Sequence, residues 1–196
     1  RRKRYGLQVS PAGPDSFCVW VKVPSEKYSL DYDVVFLLTF DEGVRSAMGA
    51  RVQLYCNSPG WVMPVGYVAA KSGLLIPGWE KALGRAATDA PGTINPSGDY
   101  GFDKTTFRAI LYLSGPGGLL TRSDLERSKK SKPPKPGDPA MSAEAKLFEY
   151  GRAREKAAEA ARLAKKVAKK AAEAEASDER KKASAASGAK RAAKSV

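Results

Sequence analysis

Histidine is missing from all 196 residues. The chain therefore has no imidazole general base, no Ser-His-Asp triad, no Cys-His pair and no histidine-ligated metal. Cysteine is nearly missing as well. Cys18 and Cys56 are too few for a disulfide framework and lack the CxxC spacing of a zinc site. Both stand inside apolar runs and are expected as reduced core thiols, with a single bridge between them left open. No apolar run approaches the roughly 18 residues that a membrane span needs, and no signal-peptide apolar stretch follows the arginine-rich start. No P-loop, GxGxxG or helical glutamate pair occurs, so neither a nucleotide nor any other cofactor is expected.

Positive charge is what the chain has in excess, and it is unevenly placed. Residues 128–196 carry 19 Lys/Arg against 9 Asp/Glu, a net of +10, and the opening Arg1, Arg2, Lys3 and Arg4 add four more. Residues 5–127 hold 11 basic and 12 acidic residues and are close to neutral. Clustered like charges oppose compaction, yet they release counterions when they meet phosphates. A neutral body with cationic ends separates folding from the holding of a polyanion.

Residues 5–127 are long enough for one core. Runs at 17–23 and 33–40 read as buried strands. Residues 51–56 alternate, with Val52, Leu54 and Cys56 on one face, as a half-exposed strand does. Residues 61–69 are apolar but contain Pro64 and Gly66, which suggests an edge strand, a bulged strand or an irregular segment. Residues 79–87 are the best helix of the body, with Trp79, Ala82 and Leu83 at helical spacing. Residues 89–103 read as a long loop, and 105–113 as a last strand with Phe107, Ala109, Leu111 and Leu113 on one side. These elements predict a mainly β domain, an antiparallel sandwich or barrel of jelly-roll or OB type, with one short helix. There is no internal repeat.

Residues 128–140 are rich in proline and lysine and read as an extended linker that holds the tail away from the body. Pro139, Ser142 and Glu144 then give a helix-start signal for a long Ala/Lys/Glu-rich helix over 141–176. Its alanine seam buries little area, which predicts a solvated helix; Leu147, Phe148 and Tyr150 are the exception, a place where a partner could dock. Residues 177–196 lack a hydrophobic face and are expected to be disordered.

Arg162, Lys165, Lys166, Lys169 and Lys170 recur at i, i+3, i+4, i+7 and i+8, which gathers five cations on one helical face. The like-charged i,i+4 pairs among them oppose the helix until an anion relieves them. Further cations lie in Arg1–Arg4, in Lys129, Lys130, Lys132 and Lys135, and in Lys181, Lys182, Lys190, Arg191 and Lys194. Eight such charges on phosphates would give a log-log salt slope of about −7 on duplex and about −6 on single strands. The tail has no aromatic beyond Phe148 and Tyr150 to stack on bases, so base-specific readout from it is not expected. The composition of this last segment resembles the tails of linker histones and bacterial histone-like proteins. Residues 5–127 carry none of the globular signature of those families.

Tyr55 with Arg51, and Tyr112 with Arg108, are read as outward pairs on strands that could face nucleic acid or a second copy. The tryptophans are read as core. A Ser46 dyad with Lys71 or Lys81, or a cation held by Asp31, Asp33, Asp41 and Glu42, is weaker than the structural explanation of the same residues. The expectation is a non-enzymatic nucleic-acid-binding protein of viral coat or nucleocapsid type. RNA is favoured over DNA, self-assembly would run through the β domain, and there would be no small-molecule substrate. It would reside in a virion or in host cytoplasm or nucleus. The alternatives are a matrix-type protein on acidic membranes and a ribosomal or chromatin accessory protein.

Overall fold

A computed structural model describes residues 4–89, 103–128 and 131–192, with side chains described as far as residue 173. Two compact units divide the chain between Ala153 and Arg154.

The first unit is built on four antiparallel strands in sequential order: β1 (Gly6–Gly13), β2 (Ser16–Pro24), β3 (Asp31–Thr39) and β4 (Arg51–Cys56). β-branched and aromatic residues dominate these runs, and Pro14-Asp15 supplies the tight turn between the first two. The register lines up Val9, Val19, Phe36 and Leu54 in one row across all four strands. Gln8, Trp20, Val35 and Tyr55 form a row on the opposite face. Period-two alternation thus gives a sheet with two apolar faces, and both need cover.

Helices provide that cover. On the Val/Phe/Leu face, α4 (Lys104–Ser114) packs across β2 and β3. α5 (Arg122–Arg127) follows it and buries Leu125. On the other face the Tyr55 ring meets Trp61 of α1 (Pro59–Val62) and Trp79, the residue before α3 (Glu80–Leu83). Between these lies α2 (Gly66–Ser72), which ends at Gly73 in the left-handed region, φ 77°.

The expected antiparallel sheet is therefore present, but it is single and open; no sandwich or barrel closes among the described residues. The reason lies in two segments that are helices, one read as a strand and the other as an edge or bulged strand or an irregular segment. Residues 105–113 do alternate, yet Thr106, Ala109, Ile110 and Leu113 also recur at i, i+3, i+4 and i+7, and that is the stripe turned to the core. Asp103 fixes the start by accepting the Thr106 N–H at 2.8 Å. Residues 61–69 follow Ser58-Pro59, with proline at the first helical position. The helix expected at 79–87 is present as α3 and a following 3-10 turn, Gly84–Ala87. Of the expected loop at 89–103, residues 90–102 lie outside the described residues.

Both outer strands have part of their free edge occupied. The Val9 carbonyl of β1 accepts the Ser131 N–H at 3.0 Å. On β4, Leu54 donates to the Leu74 carbonyl at 2.8 Å and the Gln53 side-chain amide to the Gly73 carbonyl at 2.9 Å. These contacts blunt edge-to-edge pairing.

The segment expected to hold the tail away from the body instead binds to it. After Ser131, a 3-10 turn (Pro139–Met141) buries Met141. Tyr55 Oη donates to the Met141 carbonyl, and the Asn57 side-chain amide donates to the Ala140 carbonyl at 3.2 Å. Asn57 is itself locked to the buried Asp33, whose carboxylate also accepts Trp20 Nε1 at 2.9 Å. A proline-rich strip cannot continue a helix or a central strand, but it can lie along a sheet edge.

The last helix, α6 (Ala143–Ala192), begins where its start signal predicts, with the Ser142 hydroxyl accepting the Ala145 N–H at 3.2 Å. Its backbone continues past 176 to Ala192, a correction to the expected disorder, because Ala, Lys and Arg favour helix without an apolar face. Residues 193–196 lie outside the described residues.

Candidate nucleic-acid interface

The first turns of α6 belong to the first unit. Ala143 is buried and Leu147 is half-buried against the core. Tyr150 meets Tyr28 edge to face at 5.2 Å. Gly84, with φ 59°, allows a close approach here: a Cβ on it would stand 2.5 Å from Glu144 Oε1, which accepts the Arg85 N–H. The body itself is thus the partner for Leu147 and Tyr150. Phe148 stays exposed, with the Arg152 guanidinium 5.9 Å from its ring centre.

The second unit differs in kind. Every residue from 154 to 173 is exposed, including Leu163 at 64% and Val167 at 62%. Arg162, Lys165, Lys166, Lys169 and Lys170 share a face roughly 140° wide and about 12 Å long, from 100° and 1.5 Å per residue. Glu173 answers one of them, 3.8 Å from Lys169 Nζ. Such exposed pairs contribute only about 0.3–0.5 kcal/mol. Even with Glu159 beside Arg162, cations dominate this face over little more than two helical turns, an arrangement that a phosphate chain relieves.

The other basic candidates are more scattered. Arg4, Lys132 and Lys135 are exposed, the last two flanking Pro133-Pro134 against the body. Lys181, Lys182, Lys190 and Arg191 fall on the helical backbone. Arg1, Arg2, Lys3, Lys129, Lys130 and Lys194 lie outside the described residues. Within α6 the helical spacing gathers the five cations on one face.

The aromatic candidates divide. Tyr55 is buried, where burial pushes its hydroxyl far above the usual tyrosine range, and Arg51 pairs with Asp41 at 2.9 Å. That pair is no interface. Tyr112 is on a helix rather than a strand, and its ring stacks on Tyr5 with centroids 4.6 Å apart and planes 7° apart. Arg108 Nε donates to Tyr5 Oη at 3.1 Å. The sequence signal for this cluster was the i,i+4 spacing of Arg108 and Tyr112; the register that brings β1 beneath them is not local information. Trp61 and Trp79 are core, as expected, and Trp20 is half-buried under Lys22.

The remaining chemistry is quiet. Cys18 and Cys56 are free thiols, pushed up by burial to about 11 and about 12. Such thiols are poor nucleophiles at neutral pH. Ser46 caps a 3-10 turn by accepting the Met48 N–H at 3.2 Å, and the Lys71 ammonium lies 5.8 Å from the Tyr67 ring centre. No group of three or more possible metal ligands occurs among the described residues, and no helix there is long and apolar enough to cross a membrane. No family model, curated protein or solved structure matches this chain.

Proposed function

We propose that this is a non-enzymatic nucleic-acid-binding structural protein of the coat or nucleocapsid type, whose body assembles while its basic extremities neutralise an RNA or DNA backbone without reading sequence. One observation carries the reading: five cations share a single face of the fully exposed stretch 154–173 of α6, with Glu159 and Glu173 the carboxylates nearest to them. Phosphate chains are the common polymer that such a face fits, because counterion release rewards charge density and not shape. RNA is favoured over DNA, and a virion or the host cytoplasm or nucleus is the compartment that follows from this role.

Self-association has its own support. Met48 and Leu120 are exposed large apolar residues on two segments joined by the Ala47 N–H to Leu120 carbonyl bond, 2.9 Å. Neighbouring exposed apolar side chains mark interaction surfaces. With its sheet edges partly occupied, the body would assemble through such surfaces and not by adding strands.

The test is the intact chain against one in which Arg162, Lys165, Lys166, Lys169 and Lys170 are all changed to Gln, titrated with salt on a duplex. The log-log slope should become shallower by about 4.5 on duplex if all five meet phosphates. An unchanged slope rejects the reading.

A further inference from the structure

A second feature of the body points at nucleic acid independently of α6. α4 turns Thr106 and Ala109 into the core and leaves outward a face that carries Lys104, Phe107, Arg108, Leu111 and Tyr112. Phe107 and Leu111 are each 52% exposed, although a helix covering a sheet usually shows water a polar side. At one margin of this face lies the parallel Tyr5–Tyr112 stack, with the Arg108 guanidinium 5.7 Å from the Tyr5 ring centre. Tyr5 directly follows Arg4, so the Arg1-Arg2-Lys3-Arg4 run joins the body at this stack. Glu26 takes up part of the charge through Lys104 and, at 3.7 Å, Arg108. Arg4, Lys104 and Arg108 together still outnumber it.

We propose that this face is a stacking platform for unpaired bases of single-stranded nucleic acid, with the exposed Arg4 meeting an adjoining phosphate. The proposal deepens the polyanion reading and rests on it. Aromatic rings beside cations bind bases of any sequence, since every base offers a π-face, whereas a paired duplex presents none. Charge complementarity decides the occupant: the body of a second copy offers acidic and basic residues in near balance, while a phosphate chain brings a continuous run of negative charge to Arg4, Lys104 and Arg108.

The experiment uses the full chain with a fluorescein-labelled 12-nucleotide oligouridine and a 12-base-pair RNA duplex at matched salt. Phe107→Ala combined with Tyr112→Ala should weaken oligouridine binding by about tenfold or more, and leave duplex affinity and salt slope unchanged. Phe107→Ala alone alters a half-exposed side chain and guards against loss of fold; Phe107→Trp should restore binding. Photocrosslinking with 4-thiouridine RNA should label Tyr5, Phe107 or Tyr112. Unchanged oligouridine affinity overturns the proposal, as does an equal loss on both probes. So does a change of oligomeric state with no change in binding, which would make the face a contact between copies. If the five-site α6 variant keeps full affinity while Phe107 and Tyr112 still matter, the tail reading fails and this one stands.

Discussion

The two units spend their residues in opposite ways. In the first, side chains such as Trp61, Tyr55, Leu54 and Leu125 vanish from solvent, and even the carboxylate of Asp33 is buried among donors. In the second, residues 154–173 bury nothing and keep their charges in water. Fold stability in the first unit comes from tertiary packing, while helix in the second comes from alanine and lysine propensity, residue by residue. A protein arranged in this way can alter its charge without altering its core.

The largest effect that could break this contrast lies in the core. Trp61→Ala should cost about 3–5 kcal/mol in urea unfolding followed by near-UV circular dichroism, whereas Leu163→Ala should stay within about 0.5 kcal/mol. Equal effects would mean that the second unit is packed after all. Next comes Asn57→Ala, which removes the amide that joins Asp33 to the Ala140 carbonyl and leaves a buried carboxylate short of a donor. A loss of about 1–3 kcal/mol is expected. Faster amide exchange at Ser131 and Met141 would sharpen the finding that the proline-rich strip is docked, and unchanged exchange would contradict it.

Alkaline pH should separate the units further. The folded-state pKa values of Cys18 and Cys56 are raised from 9.0 to about 11 and about 12. Between those limits the folded body binds more protons than the unfolded chain. Its stability is therefore complete below about pH 9 and falls as pH rises toward 12. Far-UV dichroism over that range should show cooperative loss of the body, and Ellman's reagent at neutral pH should label Cys56 only after denaturation. The smallest effect is Glu173→Gln, which removes the exposed partner of Lys169 and should lower helicity by no more than about 0.5 kcal/mol while slightly tightening RNA binding.

Strands β2, β3 and β4, the start of α6 and the five-cation face were all legible, because each is a local pattern: alternation, a serine cap, a spacing of three and four. What escaped is informative. Ala109 and Leu113 belong both to the strand alternation with Phe107 and Leu111 and to the helical stripe with Thr106 and Ile110, and only the sheet beneath α4 decides between them. Lys132 to Pro136 look like a spacer by composition, yet their neighbours Ser131, Ala140 and Met141 find acceptors and donors on β1, β4 and Asn57. Tyr5 and Tyr112 are 107 residues apart, and no local rule predicts their stack.

The most direct test of a folded, near-neutral body and a separate cationic grip is to end the chain after Ala153, which keeps the docked strip and the first turns of α6. Its RNA affinity should drop steeply and its salt slope flatten toward the contribution of the N-terminal arm, with body unfolding unchanged. A shortened chain that holds RNA as tightly as the intact one, with the same salt slope, would contradict the account.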